Sequence, residues 1–230
     1  MPRSHESDSP ELIITEIFHS LQGESTLAGL RFGFIRLTGC NLRCTYCDSE
    51  YAFTGGQKFS IEKILAEIRS YDVKNVLITG GEPLLQKNTP SLVMALKKDG
   101  YAVSIETHGE TSIAPVAGLA RIIMDIKTPS SGMSCGGFRE NLNLLKPTDE
   151  VKFVVASPED YDWAKAVVRE NMIPTQEILF SPALPVSGKS EKFKGVQAQW
   201  LAEKILTDQL PVRFQLQLHK LIWGPERTGV

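Results

Sequence analysis

Three cysteines, Cys40, Cys44 and Cys47, stand in a C-x3-C-x2-C pattern, and the fourth cysteine of the chain, Cys135, lies far downstream. Thiols clustered this tightly hold a metal or carry redox chemistry. Structural zinc takes four ligands, usually from paired C-x2–4-C elements. Here a single C-x2-C is present, and Cys135 in "SSGMSCGGF" would have to complete the set from a distance. Redox-active C-x-x-C chemistry leaves Cys40 without a task. An iron–sulfur cubane bound by three cysteines has one iron with no protein ligand, where a small molecule can chelate, much as catalytic zinc keeps an open position. Spacing alone leaves all three readings standing.

The elements that must position these thiols follow from the hydrophobic pattern. From Arg31 onward, short β-branched runs alternate with helix-length amphipathic ones. Strands are expected at 31–38, 75–79, 101–107, 121–127, 151–156, 177–182 and 212–221. Helices are expected at 60–70, 90–98, 112–119, 138–145, 158–170 and 196–207. Repeated strand–helix alternation argues for a mostly parallel α/β sheet, either wound open or curled toward a barrel. In both arrangements, functional loops follow the C-terminal ends of the strands. Unusual polar residues do gather at those exits: Thr79-Gly80-Gly81-Glu82-Pro83, Glu106-Thr107-His108, Asp125 with Lys127, Ser181-Pro182, and His219-Lys220.

Composition sets the outer limits. At 230 residues, 42% apolar and 23% charged, the chain suits one globular domain, expected over residues 11–230 behind a loose polar tail at 1–10. A net charge of −2 carries no nucleic-acid or anionic-membrane signal, and no apolar run approaches a membrane span. The polar N-terminus lacks the apolar core of a secretory signal, so a cytoplasmic location is expected. Disulfides are rare in that compartment, and clustered cysteines there serve metals or catalysis.

"CNLRCTYC" resembles the signature of radical S-adenosylmethionine (SAM) enzymes, in which an aromatic residue, here Tyr46, precedes the last cysteine. The resemblance implies a [4Fe-4S] cluster on Cys40, Cys44 and Cys47, with SAM chelating the free iron and being cleaved to a 5′-deoxyadenosyl radical. It also implies a partial (β/α) barrel. "ITGGEP" (78–83) matches the segment that meets the SAM amino group in that superfamily. Its glycines allow close backbone approach, and Glu82 could accept from an ammonium.

A longer stretch, "EIFHSLQGESTLAGLRFGFIRLTGCNLRCTYCDSE", resembles the 7-carboxy-7-deazaguanine synthase family, as do "LITGGEPLLQ", "IETHG" and "QLHKLIWG". That family implies ring contraction of 6-carboxy-5,6,7,8-tetrahydropterin, with SAM regenerated and Mg²⁺ assisting. Carried over by position, Leu21, Gln22, Gly23 and Glu24 fall at the substrate, and Arg36 faces its carboxylate. Ser49 falls at Mg²⁺ and Thr79 at the substrate. Tyr46, Cys47, Asp48, Gly80, Gly81, Glu82 and Glu106 fall at SAM, together with Asp125, Ile126 and Lys127. "DIK" replaces the usual Ser-Pro-Lys at that last position. His219 is a candidate for the substrate pocket. The family further implies a homodimer and a flavodoxin- or ferredoxin-type electron donor. Two competitors are a glycyl-radical-enzyme activating enzyme, against which "SLQGES" argues, and a non-catalytic iron–sulfur or zinc scaffold.

Overall fold

The structure, a computed structural model, describes residues 10–170, 173–184, 195–225 and 227–230. Of the expected N-terminal tail, Pro10 alone lies among them, and it is exposed. One sheet contains strands β1 (Glu11–Leu21), β2 (Arg31–Leu37), β3 (Gln57–Ser60), β4 (Asn75–Gly80), β5 (Ala102–Thr107), β6 (Arg121–Ile126), β7 (Glu150–Val155), β8 (Glu177–Pro182) and β9 (Arg213–Phe214). The helices are α1 (Ile61–Arg69), α2 (Thr89–Lys98), α3 (Phe138–Leu142), α4 (Pro158–Glu170), α5 (Ala198–Thr207) and α6 (Leu218–Trp223). None is long and apolar enough to cross a membrane.

Strand order is β3-β1-β2-β4-β5-β6-β7-β8-β9. The pairs of β1 with β2 and β3 are antiparallel, and every pair from β2 to β9 is parallel. The order from β2 onward never reverses. Right-handed crossovers then put all the connecting helices on one face, so the opposite face becomes concave. Because β3 and β9 do not pair, the sheet stays open: a partial barrel, as expected.

Period-two alternation sorts the side chains between these faces. Ile35, Leu37, Val76, Ile78, Ile105, Met124 and Ile126 point outward into the main core under the helices. Helix α1 shows how that layer forms. Its Ile61, Ile64, Leu65 and Ile68 recur at helical spacing on one buried stripe, and the Ser60 hydroxyl caps its start by accepting from the Lys63 N–H at 3.2 Å. The intervening strand positions point inward. Phe32, Phe34, Leu77 and Ile123 fill the barrel below, and polar residues crown it above.

Four expectations need correction. Strands β1 and β3 lie where none was expected; β1 has an irregular burial pattern and a register shift between Ile14 and Glu16, so its period-two signal is weak. Residues 112–119 form turns rather than a helix, with Pro115 unable to donate to a helical ladder. The helix expected at 138–145 stops at Leu142. The strand expected at 212–221 lasts only through Arg213–Phe214, because the side chains that follow turn toward the loop after β1, and Leu218–Trp223 is helical. His219 and Lys220 therefore sit on a helix rather than at a strand end.

Candidate active site

A cavity of about 230 Å³ opens at the C-terminal rim of the strands. One wall is the cysteine loop. Cys40, Cys44 and Cys47 all line it and are half-buried, whereas Cys135 is exposed and lies outside it. The loop is pinned from both ends. The Arg43 guanidinium donates to the Cys40 and Leu42 carbonyls at 2.8 and 2.7 Å, and the Thr45 N–H and hydroxyl donate to Ser131 and Ser130 at 3.0 and 2.7 Å. Tyr46 turns its ring into a small core with Val154, Ala156 and Ala183, its hydroxyl 3.1 Å from Thr128 Oγ1.

The glycine pair lies directly on this loop. The Gly81 N–H donates to the Leu37 carbonyl at 3.1 Å, and the Glu82 N–H donates to Gly39 at 2.7 Å. A Cβ on Gly81 would meet the Gly39 oxygen at 2.2 Å and Cys40 Cβ at 2.8 Å, and Gly80 has φ +153°, so side chains are excluded from both positions. "GGEP" and the cysteine motif thus form one contiguous wall.

Glu82 takes a different part from the one the motif suggested. It is fully buried and absent from the cavity wall. Its oxygens accept from Thr107 Oγ1 and the His108 N–H, each at 2.9 Å, and from the Leu84 N–H at 2.9 Å. Burial raises its pKa against those donors. Glu82 therefore holds the loop from behind the wall. Beside it, burial and then the Lys127 charge hold His108 down to about 4, so its ring is neutral. Nδ1 accepts from the Glu110 N–H at 3.0 Å, leaving the proton on Nε2, 2.9 Å from Asn41 Oδ1. Ile126 likewise faces the helix-side core, while Asp125 and Lys127 line the cavity.

The same rim carries a carboxylate wall drawn from five places in the chain. Lys152, 3% exposed, contacts Glu24 at 2.7 Å, Glu106 at 2.6 Å and Asp125 at 3.2 Å. Gln217 Nε2 donates to the other Glu24 oxygen at 2.9 Å, and Thr79 Oγ1 donates to Glu106 at 3.3 Å. Burial would raise the Glu24 pKa; the charges of Lys152 and His219, with hydrogen bonds from Lys152 and Gln217, bring it down to about 2. Gln22 and Gly23 lead into this wall, the Gln22 carboxamide accepting the Glu24 N–H at 3.1 Å. The His219 ring lies so close to Gly23 that a Cβ there would meet Nδ1 at 2.2 Å. Leu21 also lines the cavity.

Arg36 projects from the inner face of β2. Its Nε donates to Glu16 at 2.7 Å, and its guanidinium sits 5.9 and 5.7 Å from the ring centroids of Phe18 and Tyr51. The Tyr51 hydroxyl also donates to Glu16, at 2.8 Å. Nearby, the Ser49 hydroxyl donates to Asp48 at 3.0 Å, and Asp48 pairs with Lys220 Nζ at 2.6 Å. Against burial, Lys220 holds the Asp48 carboxyl well below the usual carboxylate range.

The structure thus brings together every expected site residue except Glu82 and Ile126. It adds three that motif reading missed, Lys152, Gln217 and Tyr51, with Glu16 bracing Arg36 and Tyr51 from behind the wall. Lys152 had a signal. It is the one charged residue in "VKFVVA", at an inward position between Val151 and Phe153.

The donor set fits an iron–sulfur cluster and SAM. Three thiols share one wall, with Lys127 beside them and an Asp125 Oδ1 that is buried without a hydrogen-bond partner. Among the described residues, no three His, Cys, Asp or Glu side chains converge closely enough to hold a single metal ion. A four-iron cubane does not need such convergence, because each thiolate ligates a different iron.

Residues 34–170 match the Radical SAM superfamily. Proteins named 7-carboxy-7-deazaguanine synthase are similar over nearly the whole chain. The one from Koribacter versatilis is 44% identical, covering 94% of this chain and 99% of its own; that from Chlorobaculum tepidum is 40% identical, covering 97% and 100%. The crystal structure of QueE from Escherichia coli superposes with a TM-score of 0.70 over 91% of this chain and 95% of its own, at 22% identity, a likeness of fold. Three thiols set against a glycine pair at the rim of an open parallel barrel agree with that kinship: the chain is a radical SAM enzyme belonging to the 7-carboxy-7-deazaguanine synthase family.

Proposed function

We propose that this chain makes 7-carboxy-7-deazaguanine, the compound its relatives are named for, by contracting the ring of 6-carboxy-5,6,7,8-tetrahydropterin with loss of ammonia. The observation that carries this reading is a single cavity with two unlike walls. One is fit for a cluster and SAM; the other is fit for a flat, donor-rich heterocycle bearing a carboxylate.

Cys40, Cys44 and Cys47 would hold the [4Fe-4S] cluster, with SAM lying against Gly80, Gly81, Tyr46, Asp48, Asp125 and Lys127; Glu106, expected at SAM, shares Lys152 with Glu24 on the other wall. When bound, the cluster and SAM supply a carbon radical able to abstract hydrogen from the substrate. The chain's own residues do the rest by placement. Glu24 is held ionised, so it accepts from the amino-pyrimidine edge, and Gln22 offers both a donor and an acceptor beside it. Arg36 is fixed through Nε by Glu16, which leaves its terminal nitrogens for the substrate carboxylate, a charge-assisted pair. Thr79, Leu21, Gly23 and His219 complete the pocket.

Mg²⁺ would sit at Ser49, most of its octahedron coming from substrate and water. Lys220 on Asp48 places a cation next to that position, while the Ser49 hydroxyl, donating its proton to Asp48, keeps its oxygen lone pairs for the metal. A single domain over 11–230, a homodimer and a flavodoxin- or ferredoxin-type electron donor belong to the same reading.

The test is anaerobic incubation of the reconstituted, reduced protein with SAM and the carboxypterin. Formation of the deazapurine is expected. Its absence, with SAM consumed against a partner protein instead, would favour a glycyl-radical-enzyme activating enzyme.

A further inference from the structure

Lys152 is the least exposed polar group of the cavity wall that also bridges several others. Its ammonium donates to Glu24 from the loop after β1 and to Glu106 from β5, and Asp125 from β6 stands 3.2 Å away as a third carboxylate partner. With 3% of its side chain exposed, Lys152 stands behind these carboxylates rather than in front of them. The carboxylates are 17%, 26% and 11% exposed and line the cavity in front of it.

Fold stability gives no account of this arrangement. A buried ion pair is commonly no more stabilising than apolar residues of the same volume. The inner face just below on β2, β4 and β6 is apolar, built from Phe34, Leu77 and Ile123. Aliphatic filling was therefore available one layer up. Three carboxylates sharing one site, by contrast, repel one another unless a cation stands among them. Lys127, the other cation of this wall, contacts Asp125 at 3.2 Å and stands on the thiol side, so Lys152 is the cation that Glu24 and Glu106 share.

We infer that Lys152 is a positioning residue that holds the Glu24 and Glu106 carboxylates side by side, so that the cavity selects ligands presenting adjacent N–H donors, the 2-amino-pyrimidine edge of a pterin. This deepens the functional reading above and rests on it. Selection follows from the asymmetry of buried polar recognition: a site built of acceptors rejects a ligand lacking the matching donor, because its own groups are left unpaired.

The test compares two probes by fluorescence titration on the cluster-loaded protein under anaerobic conditions. One is 6-carboxypterin; the other is 6-carboxylumazine, which carries an oxo group in place of the 2-amino group. Wild type is expected to prefer the pterin by at least about tenfold. In Lys152→Met that preference should fall below about twofold, while Lys152→Arg, which keeps the charge but not the geometry, should recover part of it. A structural role alone would weaken both probes equally and leave their ratio unchanged. An unchanged ratio in Lys152→Met overturns the assignment; if that variant does not fold, a wild-type ratio in Lys152→Arg overturns it instead. Wild type that binds neither probe would take down the functional reading, and this inference with it.

Discussion

The two walls of the cavity are built by opposite means. The thiol wall comes from two short segments, Gly39–Cys47 and Gly80–Glu82, held together by backbone hydrogen bonds and by the lack of side chains on two glycines. The carboxylate wall draws single residues from the loop after β1 and from β5, β6, β7 and the segment before α6, joined by charge around one lysine. A wall made of backbone fails by steric intrusion; a wall made of charge fails by losing one partner.

The largest expected effect breaks the thiol wall outright. Cys44→Ala should reduce reconstituted iron and deazapurine formation to background, while pterin binding, a property of the other wall, persists; iron analysis beside a pterin titration checks both halves. Lys152→Met should do the converse, lowering the unfolding free energy by about 3–5 kcal/mol, as expected when one partner of a buried ion cluster is removed. It should still accept a cluster, which denaturant melts and iron analysis would show.

Intrusion is the next test. Gly81→Ala drives a methyl into the Gly39 carbonyl and Cys40, and overpacking of this kind costs about 1–3 kcal/mol. The strain lies on the cluster loop, so cluster occupancy should fall while the pterin-to-lumazine preference stays. A variant with full cluster and altered preference would break the separation between the walls. Arg36→Ala should weaken carboxypterin about 10- to 100-fold, the worth of a charged hydrogen bond, and leave pterin without the 6-carboxylate unchanged.

The smallest effect is in acid. His108, at about 4 in the fold against 6.5 free, braces the thiol wall through Asn41. A depressed folded pKa stabilises above the unfolded value and is lost as pH falls, so unfolding free energy should drop by about 1–2 kcal/mol between pH 6.5 and 5. His108→Gln should abolish that drop. Glu24, at about 2 against 4.5, obeys the same sign, so its contribution holds until pH falls below 4.5 and is lost through about 2. The walls therefore have separate acid windows.

The same contrast explains what could be read from sequence. C-x3-C-x2-C and "GGEP" are local, so their residue types announce themselves. The parallel strands carry continuous apolar runs, and all seven were found, though the last is much shorter than its run. A motif fixes a residue's position but not which way its side chain turns, and three internal donors turn Glu82 inward. Lys152 announced itself only as a charge in an apolar strand; its partner Asp125 is set by register across β6 and β7, and Gln217 meets Glu24 only through the tertiary fold. The end of the chain was misread for a related reason. "QLQLHK" alternates like a strand, yet Gln215 and Gln217 spend that alternation on Ser25 and Glu24.

The most direct test of the account is anaerobic turnover of 6-carboxy-5,6,7,8-tetrahydropterin with SAM held below the substrate concentration. If one open iron faces a cavity that returns hydrogen to its cofactor, deazapurine should accumulate beyond one equivalent of SAM. Consumption of SAM with no deazapurine would contradict it.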